Sequence, residues 1–599
     1  MDLLPKVFRT EGNIAKFDPS KIFESILKET GMNETDANHI TELVVRRIIS
    51  SGIKFLSGPH IREIVCSILS EQHFENERKL YTRIGMPLMD YEEILEKGPS
   101  DKPHEKINPE KIHHWAADQI AEEYAHLRIL DTEESKAHLA GDIHINGLKY
   151  FDLRPYSQIW DPRLILKNGL PPIDYMEGYY RQKPANNFIS ALNHLSKWLG
   201  MTQSEFYGNQ GFNFITTFLA PYVGDLTEER IAQRIRKLIY EINQLPIIIG
   251  REISQTSISS SISIFKAFSE VPAIGPNGKI KGVYGEYQEE SIKLFRALIL
   301  TFKEEYENQP ILSPIHQIIL DNKLIDNIDK IYSNFWDDIE KMNSSYFINL
   351  CDDIYKDEIL KQKSTKSHYN SGILQNISLN LPRYAYISRN EDSFLELLNS
   401  TINLCSTILL KKLDIIKKRI KTNHLRFCSG IINGEQLFKL EDQTLSISLV
   451  GLNESVKFLT NFELHEHSEA VKLSKKILTE INRLCSELTK NNDIKFILSE
   501  NVSKEAIHRF TKLDLKHFPN DIILLSGNQR YTNSVHFRDD VKIHILNRLK
   551  IQGTFHKFIH EGAIEFISLN EIMQSDFAIR EFLRRICKES SISCLKIYL

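Results

Sequence analysis

Along residues 1–92 the apolar positions fall mostly at helical spacing, so this stretch reads as a small, mainly helical domain. Its first residues differ. Lys6-Val7-Phe8-Arg9-Thr10 alternates apolar and polar positions and Glu11-Gly12-Asn13 turns after it, so a short β-hairpin opens the chain. Asp18-Pro19 supplies an N-cap and a first-turn proline for a helix over 20–30, whose Ile22, Ile26 and Leu27 share one face. Further helices are expected over 34–51, from Ser57-Gly58-Pro59 onward, and from about Glu75. Gly98-Pro99-Ser100-Asp101-Lys102-Pro103 is polar and rich in turn residues, which marks 93–105 as a linker.

Beyond it, helical patterns over 111–126, 227–244 and 394–419 alternate with short β-branched runs over 259–265, 377–381, 446–450 and 563–569. That mixture predicts one large α/β body over 106–599, and no repeat of solenoid or propeller length interrupts it. The stretch from Lys411 to Lys421 is strongly basic. Leu413, Ile416 and Ile420 form an apolar stripe through it, so it reads as a core helix with a solvated charged face in preference to a nucleic-acid patch.

Composition narrows the classes. The 599 residues are 41% hydrophobic and 26% charged, which excludes extensive disorder and fibrous architectures. A net charge of −4 argues against a broad nucleic-acid-binding face. Apolar runs such as 245–250 are far shorter than the roughly 20 residues that span a bilayer. Met1-Asp2-Leu3-Leu4-Pro5 lacks the build of a signal peptide, so a cytoplasmic protein without membrane contact is expected. Seven scattered cysteines, none in C-x-x-C spacing, fit neither a disulfide framework nor a four-cysteine zinc site, and each reads as a small buried apolar residue.

Particular motifs go further. Val7-x-Arg9-Thr10-x-Gly12, Phe17-Asp18-x-x-Lys21-Ile22, Ser57 before a helix, and Tyr81-Thr82-Arg83-Ile84-Gly85-Met86-Pro87 resemble the ATP-cone, a nucleotide-sensing domain. The resemblance implies ATP or dATP as effector, held by Val7, Arg9, Gly12, Lys21 and Ser57. Arg9 keeps the charge of the family's usual lysine, whereas Thr10 replaces an arginine.

In the larger body the run begins with His138-x-x-Gly141-Asp142-Ile143-His144, Tyr150-Phe151-x-x-Arg154-Pro155-Tyr156 and Trp160-Asp161-x-Arg163. It continues with Gln210-Gly211-Phe212, Tyr346-Phe347-Ile348-Asn349, Asn380-Leu381-Pro382-Arg383-Tyr384, Val450-Gly451-Leu452-Asn453-Glu454 and Tyr531-Thr532-Asn533. In order and spacing these resemble the archaeal branch of the anaerobic, class III ribonucleoside-triphosphate reductases. The resemblance implies a ten-stranded α/β barrel of the glycyl-radical type behind a mostly helical cone. It also implies a homodimer, or a mixed dimer with a reductase chain.

Such an enzyme needs a thiyl-forming cysteine at a loop tip, in much of the family a second cysteine across the pocket, and a glycyl-radical loop. Between the Tyr346 strand and the Asn380 strand the only cysteine is Cys351, directly after the first strand, while Lys363-Ser364-Thr365 occupy the expected tip. The second family cysteine is replaced by Ser157, and the family's Arg-Gly-Gly-Gln segment reads Ile249-Gly250-Arg251-Glu252. The residues given run to Leu599, where the resemblance would lead on to a zinc module and a radical glycine, so no zinc and no glycyl radical are expected within this chain. A nucleotide-binding homologue without turnover is therefore expected, with His144, Asn380 and Arg383 as remnants of a substrate pocket, Cys351 as the one catalytic candidate and no metal ligands. Two alternatives are an active reductase whose radical is supplied by a separate chain, and a dimerisation scaffold that binds nothing.

Overall fold

The computed structural model describes residues 6–8, 14–53, 55–85, 88–97, 108–170, 181–249, 255–342, 344–351, 370–525, 530–538, 540–574 and 578–598. The chain divides into two compact units, 1–132 and 133–599. The division falls later than the expected linker at 93–105, and it assigns the helix Pro109–Tyr124 to the first unit.

In the first unit β1 (Lys6–Phe8) pairs antiparallel with β2 (Ile14–Lys16) and parallel with β3 (Phe55–Ser57), so the opening hairpin gains a third strand. Asp18 caps the helix Pro19–Thr30 by accepting from Ser20 N at 3.1 Å, and Gly31 ends it at φ +68°, where a side chain would be strained. Ile22, Ile26, Ile40, Val44, Ile48, Val65 and Leu69 then pack into one apolar core.

In the second unit the strands are β4 (Ile143–Ile145), β5 (Ser157–Trp160), β6 (Gln210–Phe212), β7 (Thr256–Ser260), β8 (Pro272–Ile274) and β9 (Ile280–Val283). They continue as β10 (Ile315–Leu320), β11 (Ser344–Asn349), β12 (Ser371–Asn380), β13 (Ile431–Ile432), β14 (Glu435–Gln436), β15 (Gln443–Val450), β16 (Lys495–Leu498), β17 (Ile564–Ser568) and β18 (Cys594–Tyr598). Pairs β8–β9 and β13–β14 are separate ribbons. The main sheet follows the path β16-β15-β12-β5-β6-β7-β10-β11-β18-β17, with β4 on β12. Strands β5, β6, β7, β10 and β11 are mutually parallel, as are β12, β15 and β16, and the two sets meet antiparallel at β5–β12. At the other side β18 runs antiparallel to β11. Among the described residues the path has ten strands with β4 added at its side, and its end strands are linked by hydrogen bonds: His560 N donates to Leu498 O at 2.8 Å and Ile564 N to Glu500 Oε2 at 2.6 Å.

Burial on both faces explains why these strands read as β-branched runs and not as clean alternation; β15 is buried along nearly its whole length. The run expected over 259–265 is strand only as far as Ser260, because the chain turns and enters the helix Lys266–Ser269. The basic helix belongs to Glu391–Lys421, long and apolar enough by composition to cross a bilayer, yet Phe394, Leu398, Ile402, Ile408 and Leu409 are wholly buried in the core.

One lysine of that helix departs from the expected solvated face. Lys412 is fully buried, and its Nζ donates to Tyr150 O at 3.0 Å, Phe151 O at 2.9 Å and Arg154 O at 2.5 Å. Burial pushes its ammonium well below the usual lysine range, while Asp152 opposes the shift. Set in the run Lys411-Lys412-Leu413-Asp414, this lysine gives no sign in sequence that it will be used to tie up three carbonyls.

The Trp160-Asp161-x-Arg163 motif is also structural. Asp161 caps the helix Pro162–Asn168 through Arg163 N and accepts from Arg163 Nη2 at 2.6 Å, with both side chains buried. Asp161→Ala would leave the Arg163 guanidinium buried without its carboxylate, a cost of about 3–5 kcal/mol. The thermal unfolding of the larger unit should shift clearly downward in calorimetry, and an unchanged midpoint would show that Arg163 finds another acceptor.

Candidate functional site

In the first unit the start of the helix Pro19–Thr30 and the start of the helix Gly58–Glu71 face a cavity of about 230 Å³. Lys16, Phe17, Asp18, Lys21, Ser25, Gly58, Arg62 and Tyr81 are among its lining residues. Helix N-termini favour anions through their dipoles; at Pro19–Thr30 Asp18 already accepts from Ser20 N, and the exposed Lys16 and Lys21 add positive charge to the lining. The floor is a fixed polar cluster. Arg62 donates to both oxygens of Glu29, at 2.7 and 2.9 Å, and to Tyr81 O at 2.6 Å, while its guanidinium lies 4.3 Å from the Tyr81 ring centre. The Arg62 hydrogen bonds hold the Glu29 carboxyl below its usual range, against the pull of burial.

Of the expected cone residues, Lys21 lines this cavity, and Ser57 lies on β3 immediately before the lining residue Gly58. Val7 lies on β1 opposite Leu56 in register, whereas Arg9 and Gly12 fall outside the described residues. Arg62 and its partner Glu29 are additions. They sit on different helices, and nothing in their spacing pairs them.

In the second unit four of the sequence motifs converge at the carboxyl ends of β12 and β15. Asn380, the last residue of β12, donates to Gly141 O at 2.9 Å and to Asp514 Oδ2 at 3.0 Å. Arg383 donates through Nε to Asp514 Oδ1 at 2.7 Å and through Nη1 to Asp142 Oδ1 at 3.2 Å, and also binds Ala140 O. Tyr531 OH donates to Asp514 Oδ2 at 2.9 Å. Two of the three expected pocket residues, Asn380 and Arg383, are thus engaged by the protein itself. His144, on β4, is a different case: it is buried, neither ring nitrogen has a partner, and burial followed by the Arg509 charge pulls it down to about 3. The resting imidazole is neutral, packed 5.4 Å from the His138 ring.

Gly451, at φ +75°, turns the chain out of β15 where a Cβ would strike Pro382, and its N donates to Thr532 O at 2.9 Å. This brings Glu454 to Thr532, whose N and Oγ1 donate to it at 2.8 and 2.7 Å. Burial raises the Glu454 carboxyl to about 7 in spite of those donors.

Beside this junction lies a cleft of about 420 Å³ lined by Lys504, Arg530, Thr532, Asn533, His536, Arg538 and Lys596, with Phe537, Phe566 and Tyr598 as its aromatic part. Asn533 Oδ1 is buried there without a hydrogen-bond donor. His536 bonds Glu500 through Nε2 at 2.5 Å and Glu565 through Nδ1 at 3.3 Å. Burial opposes its charge, but the Glu500 charge and both carboxylate hydrogen bonds outweigh this and push it up to about 10, so it is cationic at neutral pH. Cations, rings and an open acceptor suit a phosphorylated ligand with a base or sugar donor.

The model of the family described as anaerobic ribonucleoside-triphosphate reductase matches residues 104–598. The chain belongs to that family. A reductase of this kind from Haemophilus influenzae is 22% identical over 484 residues, covering 74% of this chain and 66% of the relative. The Escherichia coli reductase is 19% identical over 638 residues, covering 94% of this chain and 85% of the relative. Among solved structures, the anaerobic ribonucleotide reductase from Thermotoga maritima with citrate in its active site aligns with a TM-score of 0.70 at 18% identity, over 90% of this chain and 98% of that one. The mixed α/β fold is therefore that of the anaerobic reductases.

Within this reductase fold Ser157 opens β5 opposite Ile373 of β12. Cys351 stands two residues past the end of β11, and its N donates to Asn349 Oδ1 at 3.0 Å. Strands β6, β7 and β10 lie between β5 and β11 in the sheet. The expected tip at 363–365 and residues 250–252 fall outside the described residues.

His536 gives a pH test. Its folded-state value, about 10, lies above the ordinary 6.5, so its stabilisation is complete below pH 6.5 and fades as pH rises from 6.5 toward 10. His536→Gln should lower the thermal midpoint at pH 6 and make the decline between pH 6.5 and 10 shallower. Parallel stability curves for wild type and variant across that range would rule the ionic arrangement out.

Proposed function

We propose that this chain is a nucleotide-binding member of the reductase family whose first unit senses ATP or dATP and whose larger unit has lost radical turnover. The cavity between the two helix N-termini, with Lys16 and Lys21 in its lining, is the observation that carries the sensing role. A triphosphate needs backbone N–H groups and cations converging on it, and a ring such as Phe17 or Tyr81 offers a surface for a base. Loss of turnover rests on Ser157 where the family has a thiol, and on a 350–370 interval whose one cysteine stands two residues past the strand. A serine hydroxyl does not replace a thiol in radical transfer, because its O–H bond is much stronger than S–H.

On this reading the larger unit regulates or pairs with an active reductase chain, as a homodimer or mixed dimer in the cytoplasm, with nucleotides as its ligands and neither nucleic acid nor membrane as partner. The cationic cleft at Tyr531-Thr532-Asn533 favours a second reading, an active reductase in which Cys351 works with a radical supplied by another polypeptide. A glycyl radical in electron paramagnetic resonance of a reconstituted mixture, with turnover abolished by Cys351→Ala, would establish that alternative.

Calorimetric titration of the full chain with ATP and dATP should show saturable binding. Lys21→Ala should weaken it about 10- to 100-fold, the worth of one charge-assisted bond of about 1.5–3 kcal/mol. No saturable heat from either nucleotide would overturn the sensing role, and an unchanged affinity in the variant would move the site away from this cavity.

A further inference from the structure

The fold brings together two thiols that are far apart in sequence, Cys351 after β11 and Cys587 in the helix Ile579–Glu589. One amide positions both. Asn349 is wholly buried at the end of β11, and its Nδ2 donates to Ile592 O at 2.8 Å and its backbone N to Ser593 O at 2.7 Å. The Oδ1 of the same side chain accepts from Cys351 N at 3.0 Å and from Cys587 Sγ at 3.6 Å. The end of the strand and the segment after the helix are therefore pinned to one group; the Cys351 thiol lies 3.9 Å from Leu320 O, and Cys351 is the largest cause that raises the Cys587 thiol. Both residues are half-buried, in contrast to the buried Cys405, Cys428 and Cys485.

We propose that Cys351 and Cys587 are a redox-active dithiol that closes to an internal disulfide on reaction with a low-molecular-weight disulfide such as oxidised glutathione. The Cys351 thiolate attacks one sulfur of the reagent, forming a mixed disulfide and expelling one glutathione thiolate. Cys587 then attacks the Cys351 sulfur and expels the second. The two protein thiols lose two electrons and two protons, and the reagent is reduced to two thiols, so no other oxidant is needed. The order follows from the surroundings. The hydrogen bond with Cys351, then burial, then the charges of Cys351 and Asp321 hold the Cys587 thiol protonated. Once Cys351 is capped as a mixed disulfide, the Cys351 contributions to that restraint are gone and Cys587 is released to resolve the adduct.

Closure would tie the end of β11 to the helix Ile579–Glu589. It would also withdraw the one cysteine of the 350–370 interval from any other chemistry. This is independent of nucleotide binding in the first unit, and it holds whether or not the barrel turns over.

The test treats the full native chain with oxidised glutathione, then denatures it and alkylates with N-ethylmaleimide, with a dithiothreitol-reduced control. Intact mass should show alkylatable cysteines falling from seven in the control to five, and peptide mapping should recover one cross-link joining Cys351 to Cys587. Dithiothreitol should restore all seven. Cys587→Ser, checked for folding by circular dichroism and replaced by Cys587→Ala if it unfolds, should instead retain glutathione on Cys351. Seven alkylated cysteines after oxidation, a cross-link between other cysteines, or wild-type chain that keeps glutathione on Cys351 without releasing it would each overturn the proposal.

Discussion

Asp514 is the buried carboxylate on which the larger unit turns. It accepts from Arg383, Asn380 and Tyr531, three residues drawn from the end of β12, the helix after it and a loop some 150 residues further on. Burial pulls its carboxyl toward protonation, and the Arg383 charge with the three hydrogen bonds pulls back. A buried ion pair of this kind earns little net stability, since desolvation offsets most of the attraction. Its value is positional, because removing any one partner leaves the others buried and unsatisfied, so the junction has one arrangement.

The same logic explains how the motifs are used. Asn380, Arg383 and the Tyr531 segment read from sequence as pocket chemistry or as family markers, and in the fold their donors point at the protein's own acceptors. Gly451 is left-handed because Pro382 leaves no room for a Cβ, and that turn delivers Glu454 to Thr532. Motifs that persist in order and spacing can therefore mark a scaffold under steric and hydrogen-bonding constraint, and in the adjacent cleft only the acceptor of Asn533 among these motif residues is left without a donor.

What was legible in the sequence was local. The cap at Asp18, the helix it starts, the long helix around residues 394–419 and the strands ending at Asn380 and Val450 all follow from capping, periodicity and β-branching within one segment. What stayed hidden depends on pairing between segments. Lys412 looked like one more solvated lysine, although it binds three carbonyls of 150–154. Arg62 and Glu29 carry no mutual signal, and neither do His536 and its two glutamates at 500 and 565. Opposite charges at unrelated positions are too common to be paired by reading along the chain.

The cysteines show how far burial alone can mislead. Taken singly, each is best read as a small apolar filler, and three of the seven are wholly buried, as that reading expects. The reading fails where two meet, because a thiol's chemistry depends on its neighbours as much as on its exposure. Just past the end of β11, Asn349 Oδ1 accepts from both the Cys351 backbone N and the Cys587 thiol. The two-electron chemistry proposed above needs no new residue at 351, only that the strand end and the following helix stay pinned together.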